Sequence, residues 1–296
     1  MLVTLLVVAG VSGATFAATT VSVRRREPVT ALSRSMEDRR LPLFAGKEPS
    51  WNTVRQQNVA NCPLPAALAA IARTCPGRLR ALLSEVDAPY VSWFNNEPER
   101  VRWRGERLIH VHFQEDLVRV TPLLYYPSDR TKQEPLFAHS RDGGGWPAYI
   151  EKAYVVLRGR HEYAFLDAGD SPEPPTTDRV LFDLIGRHLH VELGKGYQDS
   201  EVFAGVDGAG RTTSPLARLS SSSLRALLSR ATSQATLLTT PSTPRTLTGS
   251  HTYVALKRSG ETLSIWDARN GQSRDVPLAS FFAEFDGLFQ VNQGCN

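Results

Sequence analysis

Residues 55–75 of the chain read RQQNVANCPLPAALAAIARTC. Within this stretch, residues 64–72 are small or apolar throughout, which is typical of a buried helix. Pro63 and Pro65 would lie in the first helical turn, where a missing backbone N–H costs least. The stretch therefore predicts a helix that begins at Cys62 or Pro63 and carries the Cys62 sulfur at its N-terminus.

A lone cysteine at this position has two interpretations. Free cysteine is among the most buried residue types and packs as a small hydrophobe. Alternatively, the unpaired N–H groups and the dipole of a helix N-terminus favour a thiolate, which is the nucleophilic form. Such chemistry also needs a base, a group that orients the base, and donors for an oxyanion. Gln56 and the backbone N–H of Cys62 are the candidate oxyanion donors.

The candidate base is one of seven histidines in the chain. His251 opens a predicted strand after a loop rich in Ser, Thr and Pro, so its ring can project from the strand edge. Asp267 ends the partner strand of a predicted hairpin that turns near Gly260, and antiparallel pairing brings the two strand ends level. We therefore expect Asp267 to orient the His251 ring, with Asn270 as the alternative if the register shifts by three.

The composition excludes some classes of function. The chain has 296 residues, 41% of them hydrophobic, so it can bury a sizeable core. Its 34 basic and 30 acidic residues leave a net charge of only +4, which gives no strong field. There is no arginine-rich arm beyond VRRRE, and basic residues are not interleaved with aromatic platforms. We expect no nucleic-acid partner.

The three cysteines do not indicate a metal centre. They are too few for a disulfide framework, and neither a Cys-x-x-Cys nor a His-x-x-x-His pattern lies near them. A continuous helix would also hold Cys62 and Cys75 too far apart for a disulfide between them. We expect no metal ion and no other cofactor.

The N-terminal segment raises the question of targeting. Residues 1–23 contain no charged side chain and are followed at once by RRRE. The segment is marginally long enough to span a bilayer, but its positive charge follows the apolar part instead of preceding it. We expect a signal peptide or membrane anchor, hence a secreted or membrane-anchored protein that meets a membrane only if the segment stays uncleaved. Residues 24–50 are polar and contain proline, which predicts a linker.

The remaining chain divides into two predicted lobes at the loop DAGDSPEPPTTD. The first lobe, residues 51–178, is mostly helical, carries the nucleophile and includes a predicted helix at residues 146–159. The second lobe, residues 179–296, is β-rich and carries the histidine. Helices are also predicted at residues 179–193 and 214–231, and the tail PLASFFAEFDGLFQV predicts a helix followed by a strand.

Four segments, in order, resemble the calpain-like cysteine proteases of the papain-like clan. QQNVANCPLPAALAAIA is similar to the family pattern Gln-Gly-x-x-Gly-Asp-Cys-Trp and the helix behind it, and WPAYIEKAYVVLRGRHEY to its Trp-Pro-x-x-x-Glu-Lys-Ala-Tyr segment. HTYVAL is similar to its His-Ala-Tyr-Ser-Val strand, and FFAEFDGLF to its closing Phe-x-x-x-Phe element. Gln57, Ala60, Asn61 and Pro63 replace the two glycines, the aspartate and the tryptophan of the first pattern.

The resemblance implies an α+β fold of the two-lobe papain/calpain type and a thiol endopeptidase that hydrolyses protein or peptide substrates. It assigns Cys62 as nucleophile, His251 as base, Asp267 as its orienting partner and Gln56 as oxyanion donor. No acidic calcium-binding loop is recognisable, so we expect no calcium requirement. Because the first pattern is altered, two alternatives stay open: a catalytically inactive calpain-like binding module, and a cysteine-dependent amide or acyl transferase.

Overall fold

A computed structural model describes most of the chain between residues 34 and 291. The described ranges are 34–46, 48–57, 59–87, 92–94, 101–103, 107–114, 116–128, 134–158, 163–166, 175–185, 189–193, 212–216 and 219–291. These residues form a mixed α+β structure in which helices pack against several small sheets and one larger sheet.

The α-helices are short, and two of them begin with proline. Their bounds are α1 Pro63–Thr74, α2 Pro76–Ala81, α3 Trp146–Arg158, α4 Thr177–Ile185, α5 Ser221–Ser229 and α6 Phe281–Glu284. The strands are β1 Arg34–Glu37, β2 Val54–Arg55, β3 Leu83–Asp87, β4 Ser92–Phe94, β5 Val101–Trp103, β6 Arg107–His112, β7 Leu117–Val120, β8 Leu124–Pro127, β9 His139–Ser140, β10 Leu189–Leu193, β11 Thr212–Pro215, β12 Thr236–Thr239, β13 Thr252–Ser259, β14 Thr262–Asp267, β15 Gln272–Pro277 and β16 Gly287–Val291.

The predicted helix behind Cys62 is confirmed as α1. Pro63 and Pro65 lie in its first turn, and all residues from Leu64 to Ala72 are buried. The helix packs against α4 on one side and against β13 on the other. Since β13 begins next to His251, this packing brings the N-terminus of α1 to the start of the strand that follows the histidine.

The largest sheet has seven strands in the order β11, β10, β16, β12, β13, β14, β15. All neighbours are antiparallel except β10 and β11. The predicted hairpin is confirmed as β13 and β14, and it turns at Gly260, whose φ of 58° favours glycine. The predicted helix and strand of the tail are confirmed as α6 and β16.

The segment before α1 is tied to the turn after β14. The backbone N–H of Gln56 donates to the carbonyl of Ala268 at 3.0 Å. Close by, the rings of Trp51 and Trp266 meet edge to face, with centroids 5.6 Å apart. These contacts hold the chain that leads to Cys62 beside the chain that carries Asp267.

Two of the predicted helices are wrong in part. The helix predicted at residues 179–193 ends at Ile185, and residues 189–193 form β10, which pairs with β16. The helix predicted at residues 214–231 begins only at Ser221, after the strand at residues 212–215. In both places, the backbone hydrogen bonds to a neighbouring strand of the sheet outweigh the local preference for a helix.

The expectation of a membrane anchor is corrected for the part of the chain that the structure describes. No helix there is long and apolar enough to cross a bilayer. Residues 1–23, on which the expectation of a signal peptide or anchor was placed, lie outside the described residues.

Candidate active site

Cys62 is the N-cap residue of α1 and is partly exposed. The turn that presents it is held by two backbone hydrogen bonds, from Leu64 N–H to the Asn61 carbonyl at 2.9 Å and from Ala66 N–H to the Cys62 carbonyl at 3.2 Å. Cys62 is a free thiol, whereas Cys75 at the other end of the helix is disulfide-bonded. The helix therefore presents an accessible thiol at the end where unpaired N–H groups favour an anion.

His251 and Asp267 form a buried pair. The Nε2 atom of His251 lies 2.8 Å from Oδ1 of Asp267, and each residue is only 5% exposed. The backbone of His251 is fixed by Thr240, whose hydroxyl accepts from the His251 N–H at 3.0 Å. The alternative partner, Asn270, instead accepts the Gln272 N–H within the turn after β14. The register that pairs Val254 with Trp266 thus puts Asp267 near the start of β13, where its side chain reaches the ring of His251.

The second nitrogen of the His251 ring is available to the thiol. The Cys62 side chain interacts with this ring and helps to raise its pKa, and because Nε2 faces Asp267, Nδ1 is the nitrogen left for the sulfur. Burial alone would lower the pKa of His251, but the hydrogen bond to Asp267 and the interactions with Cys62 raise that pKa to about 9. A charged imidazolium beside the Asp267 carboxylate is consistent with this shift.

The same pairing acts on the carboxylate. Burial raises the pKa of Asp267, but the hydrogen bond and charge of His251 and the Arg269 N–H outweigh it, so the net shift is downward. The Arg269 N–H donates to Oδ1 of Asp267 at 2.8 Å. Asp267 is therefore ionised when it holds the ring, which fixes the orientation of His251.

Two candidate oxyanion donors belong to residues that line the same cavity as the sulfur. Among the described residues, no acceptor forms a hydrogen bond with the backbone N–H of Cys62. Gln56 is 7% exposed and lines the same cavity; its amide nitrogen donates to the Val59 carbonyl at 2.7 Å, which uses one of its two N–H groups. The second amide N–H of Gln56 and the Cys62 N–H are suited to an oxyanion.

A cavity of about 510 Å³ opens onto Cys62 and His251. Leu64, Leu166 and Val180 form an apolar part of its wall, while threonines and serines between the end of β12 and the start of β13, and at the start of α4, form a polar part. Arg269 and Asp286 are the charged side chains of the remaining wall. The size and mixed lining are typical of a site for a peptide-sized ligand.

Sequence reasoning missed two residues that contact the nucleophile turn. The Cys62 sulfur donates to the hydroxyl of Thr252 at 3.6 Å. The amide of Asn61 donates to the carboxylate of Glu151 at 2.6 Å. The position of Thr252, directly after the candidate base, was the available signal for the first contact, but no local pattern pointed to the second.

The described residues contain no group of three or more His, Cys, Asp or Glu side chains placed to hold a metal ion. No protein-family model matches the chain, and no curated protein is significantly similar to it in sequence. The chemistry of the site is therefore inferred from its own side chains.

Proposed function

We propose that the chain is a cysteine endopeptidase that hydrolyses peptide bonds through Cys62, His251 and Asp267. The observation that carries this proposal is the contact of one imidazole with both a helix-capping thiol and a buried carboxylate, at the edge of a cavity. Nucleophile, base and orienting group within hydrogen-bond reach are the signature of an activated nucleophile.

In the first half of the reaction, the Cys62 thiolate attacks the carbonyl carbon of the scissile bond. The carbonyl oxygen becomes an oxyanion, which the Cys62 N–H and the Gln56 amide stabilise. The His251 imidazolium then donates its Nδ1 proton to the leaving amine as the C–N bond breaks. A thioester between Cys62 and the acyl part of the substrate remains.

In the second half, neutral His251 takes a proton from water through Nδ1, and the resulting hydroxide attacks the thioester carbonyl. Collapse of the second tetrahedral intermediate breaks the C–S bond and releases a carboxylic acid. The thiolate and the imidazolium are restored together. Asp267 stays ionised throughout and holds Nε2, so that Nδ1 keeps facing the sulfur.

We further propose that the site lies in a two-lobe fold of the papain/calpain type, with lobes at about residues 51–178 and 179–296. The nucleophile at the tip of a buried helix and the base at the edge of an antiparallel sheet support this arrangement. The cavity between α1 and the segments around β12 and β13 corresponds to the groove such a fold needs for an extended peptide.

Thiol labelling and peptide digestion test the proposal together. Iodoacetamide should modify Cys62 rapidly near neutral pH, and His251→Ala should slow this reaction, with Cys62→Ala as the control for labelling elsewhere. New N-termini should appear in a casein digest incubated with the protein but not with Cys62→Ala. Slow labelling without cleavage would favour a binding module, and transfer to an added amine without new N-termini would favour a transferase.

A further inference from the structure

A carboxylate lies in the wall of the cavity without a cationic partner. Asp286 is partly buried, lines the cavity and accepts a hydrogen bond from the Thr239 hydroxyl at 2.9 Å. Its backbone N–H donates to the Thr239 carbonyl at 3.0 Å. Among the described residues, no Lys, Arg or His side chain forms an ion pair with Asp286. A desolvated carboxylate of this kind is stabilised by any cation that enters the cavity.

The position of Asp286 is fixed by its neighbours. The Thr239 hydroxyl lies so close to Gly287 that a Cβ atom there would be 2.4 Å from it. The glycine therefore lets the hydroxyl sit over the backbone and hold Asp286 in the cavity wall. A carboxylate held by a hydroxyl and a backbone contact is a preorganised recognition group.

The other charged groups of the cavity act on one another. Asp267 holds the His251 imidazolium by a hydrogen bond and by its charge, and the charge of Arg269 also acts on Asp267. Burial raises the pKa of Asp286 and the Thr239 hydrogen bond opposes that shift, but no cation contributes to it. Among the described residues of the wall, Asp286 is thus the charged group on which no opposite charge acts.

Asp286 is close to the reacting sulfur. Cys62 contacts Thr252, Thr252 faces Thr239 across the ladder of β12 and β13, and Thr239 holds Asp286. Paired residues of an antiparallel ladder point to the same face with Cα atoms about 5 Å apart. Side chains on one face of an extended substrate repeat at about 7 Å. Asp286 can therefore contact the side chain of a substrate residue that is the first or the second one from the scissile bond.

We propose that Asp286 is the specificity residue of this cavity and that it selects peptides with a Lys or Arg side chain within two residues of the scissile bond. This inference rests on the proposed endopeptidase function and names its substrate class. The apolar wall formed by Leu64, Leu166 and Val180 then accommodates the aliphatic stem of such a side chain, while Asp286 receives its charged end.

Charged thiol reagents test the recognition without requiring peptide cleavage. The rates at which cationic 2-aminoethyl and anionic 2-sulfonatoethyl methanethiosulfonate modify Cys62 are compared, with Cys62→Ala as the background. We expect the cation-to-anion ratio of rates to fall about tenfold in Asp286→Asn, which can still accept from Thr239. Asp275→Asn, a surface carboxylate on β15, is the matched control and should not change the ratio. An unchanged ratio in Asp286→Asn would overturn the proposal.

Peptide pairs test the same residue during catalysis. Fluorogenic peptides with arginine at successive positions around the cleaved bond are compared with citrulline peptides, which have nearly the same shape but no charge. We expect the arginine preference in kcat/KM to be at least about tenfold and to disappear in Asp286→Asn. Equal cleavage of both peptides would overturn the specificity and leave the endopeptidase function standing. If neither peptide is cut but the reagent ratio depends on Asp286, the cation site stands and the endopeptidase function fails.

Discussion

The side-chain amide of Asn61 donates a 2.6 Å hydrogen bond to the carboxylate of Glu151, ninety positions further along the chain. The other carboxylate oxygen accepts the backbone N–H of Ala138 at 2.8 Å. Glu151 is only 1% exposed, and it connects α3 and the segment before β9 to the residue that precedes Cys62. The turn that presents Cys62 is thus positioned by a buried acid.

Glu151 should make folding stability depend on pH. Burial raises the pKa of Glu151 to about 7 from an ordinary value of 4.5, against the opposing hydrogen bonds from Ala138 and Asn61. Since the folded-state pKa is the higher one, the stabilising effect of the bound proton is complete below pH 4.5 and is lost as the pH rises through 7. The loss amounts to about 3 kcal/mol in the free energy of unfolding.

Glu151→Gln should remove that pH dependence. The amide can still accept from Asn61 but presents N–H groups to the Ala138 N–H, which costs about 1–3 kcal/mol at low pH. We expect the variant to be less stable than the wild type at pH 5 and similar to it at pH 8, as measured by urea unfolding. Asp275→Asn, at an exposed site on β15, is the control and should leave the pH profile unchanged. A parallel offset of Glu151→Gln at both pH values would contradict the assignment.

Asp267→Asn should shift the alkaline limb of the profile of kcat/KM against pH. In the proposed mechanism the imidazolium of His251 protonates the leaving amine, and it is lost as the pH rises through about 9. Asparagine keeps an acceptor for Nε2 but lacks the charge, so the pKa of His251 should fall by about one unit or more. The limb of the kcat/KM profile should move to lower pH by the same amount. An unmoved limb would show that another group controls it, and Asp275→Asn serves as the surface control.

Thr252→Val should slow thiol modification. The Cys62 thiol donates to the Thr252 hydroxyl at 3.6 Å, and when the thiol loses its proton the hydroxyl can rotate and donate to the thiolate. Valine has nearly the same shape at this buried site but provides no hydroxyl, so alkylation by iodoacetamide at pH 6 should slow by about 3- to 10-fold. Thr252→Ser should retain the wild-type rate. Equal slowing in both variants would point to packing instead of the hydroxyl.

Gln56→Ala should lower the rate of peptide cleavage without lowering the reactivity of the Cys62 thiol. Loss of one oxyanion donor should lower kcat/KM for a peptide by about 10²- to 10³-fold. The rate of Cys62 alkylation should change little, because alkylation by iodoacetamide generates no oxyanion. Gln57→Ala is the control, since Gln57 donates to Glu134 on the far side of the segment. A parallel loss of both rates in Gln56→Ala would indicate that Gln56 only supports the loop.

The elements that depend on local signals could be predicted from the sequence. Two prolines and an apolar run defined α1, and a glycine that adopts positive φ defined the β13 and β14 hairpin. Because an antiparallel hairpin brings the start of one strand near the end of the other, the proximity of His251 and Asp267 also followed from the sequence. These predictions need only neighbouring residues.

The elements that depend on distant partners could not be predicted in the same way. Residues 189–193, LHVEL, alternate apolar and polar residues, and this strand period was the signal that the helical interpretation overlooked. Their pairing with β16 joins segments almost a hundred positions apart. The contact between Asn61 and Glu151 is likewise non-local, and no sequence pattern in either segment predicts it.

Helix α1 carries sulfur chemistry of opposite kinds at its two ends. Cys62 caps its start as a free thiol, and Cys75 caps its end as an oxidised residue that is 6% exposed. About 18 Å of helix separates them. The two sulfurs therefore respond to reductants of different strength. A mild reductant keeps the exposed Cys62 thiol reduced. A strong reductant combined with partial unfolding also reduces the disulfide bond of Cys75, which anchors the same helix. Assay buffers should therefore contain a reductant that is strong enough for the Cys62 thiol but too weak to reduce the Cys75 disulfide.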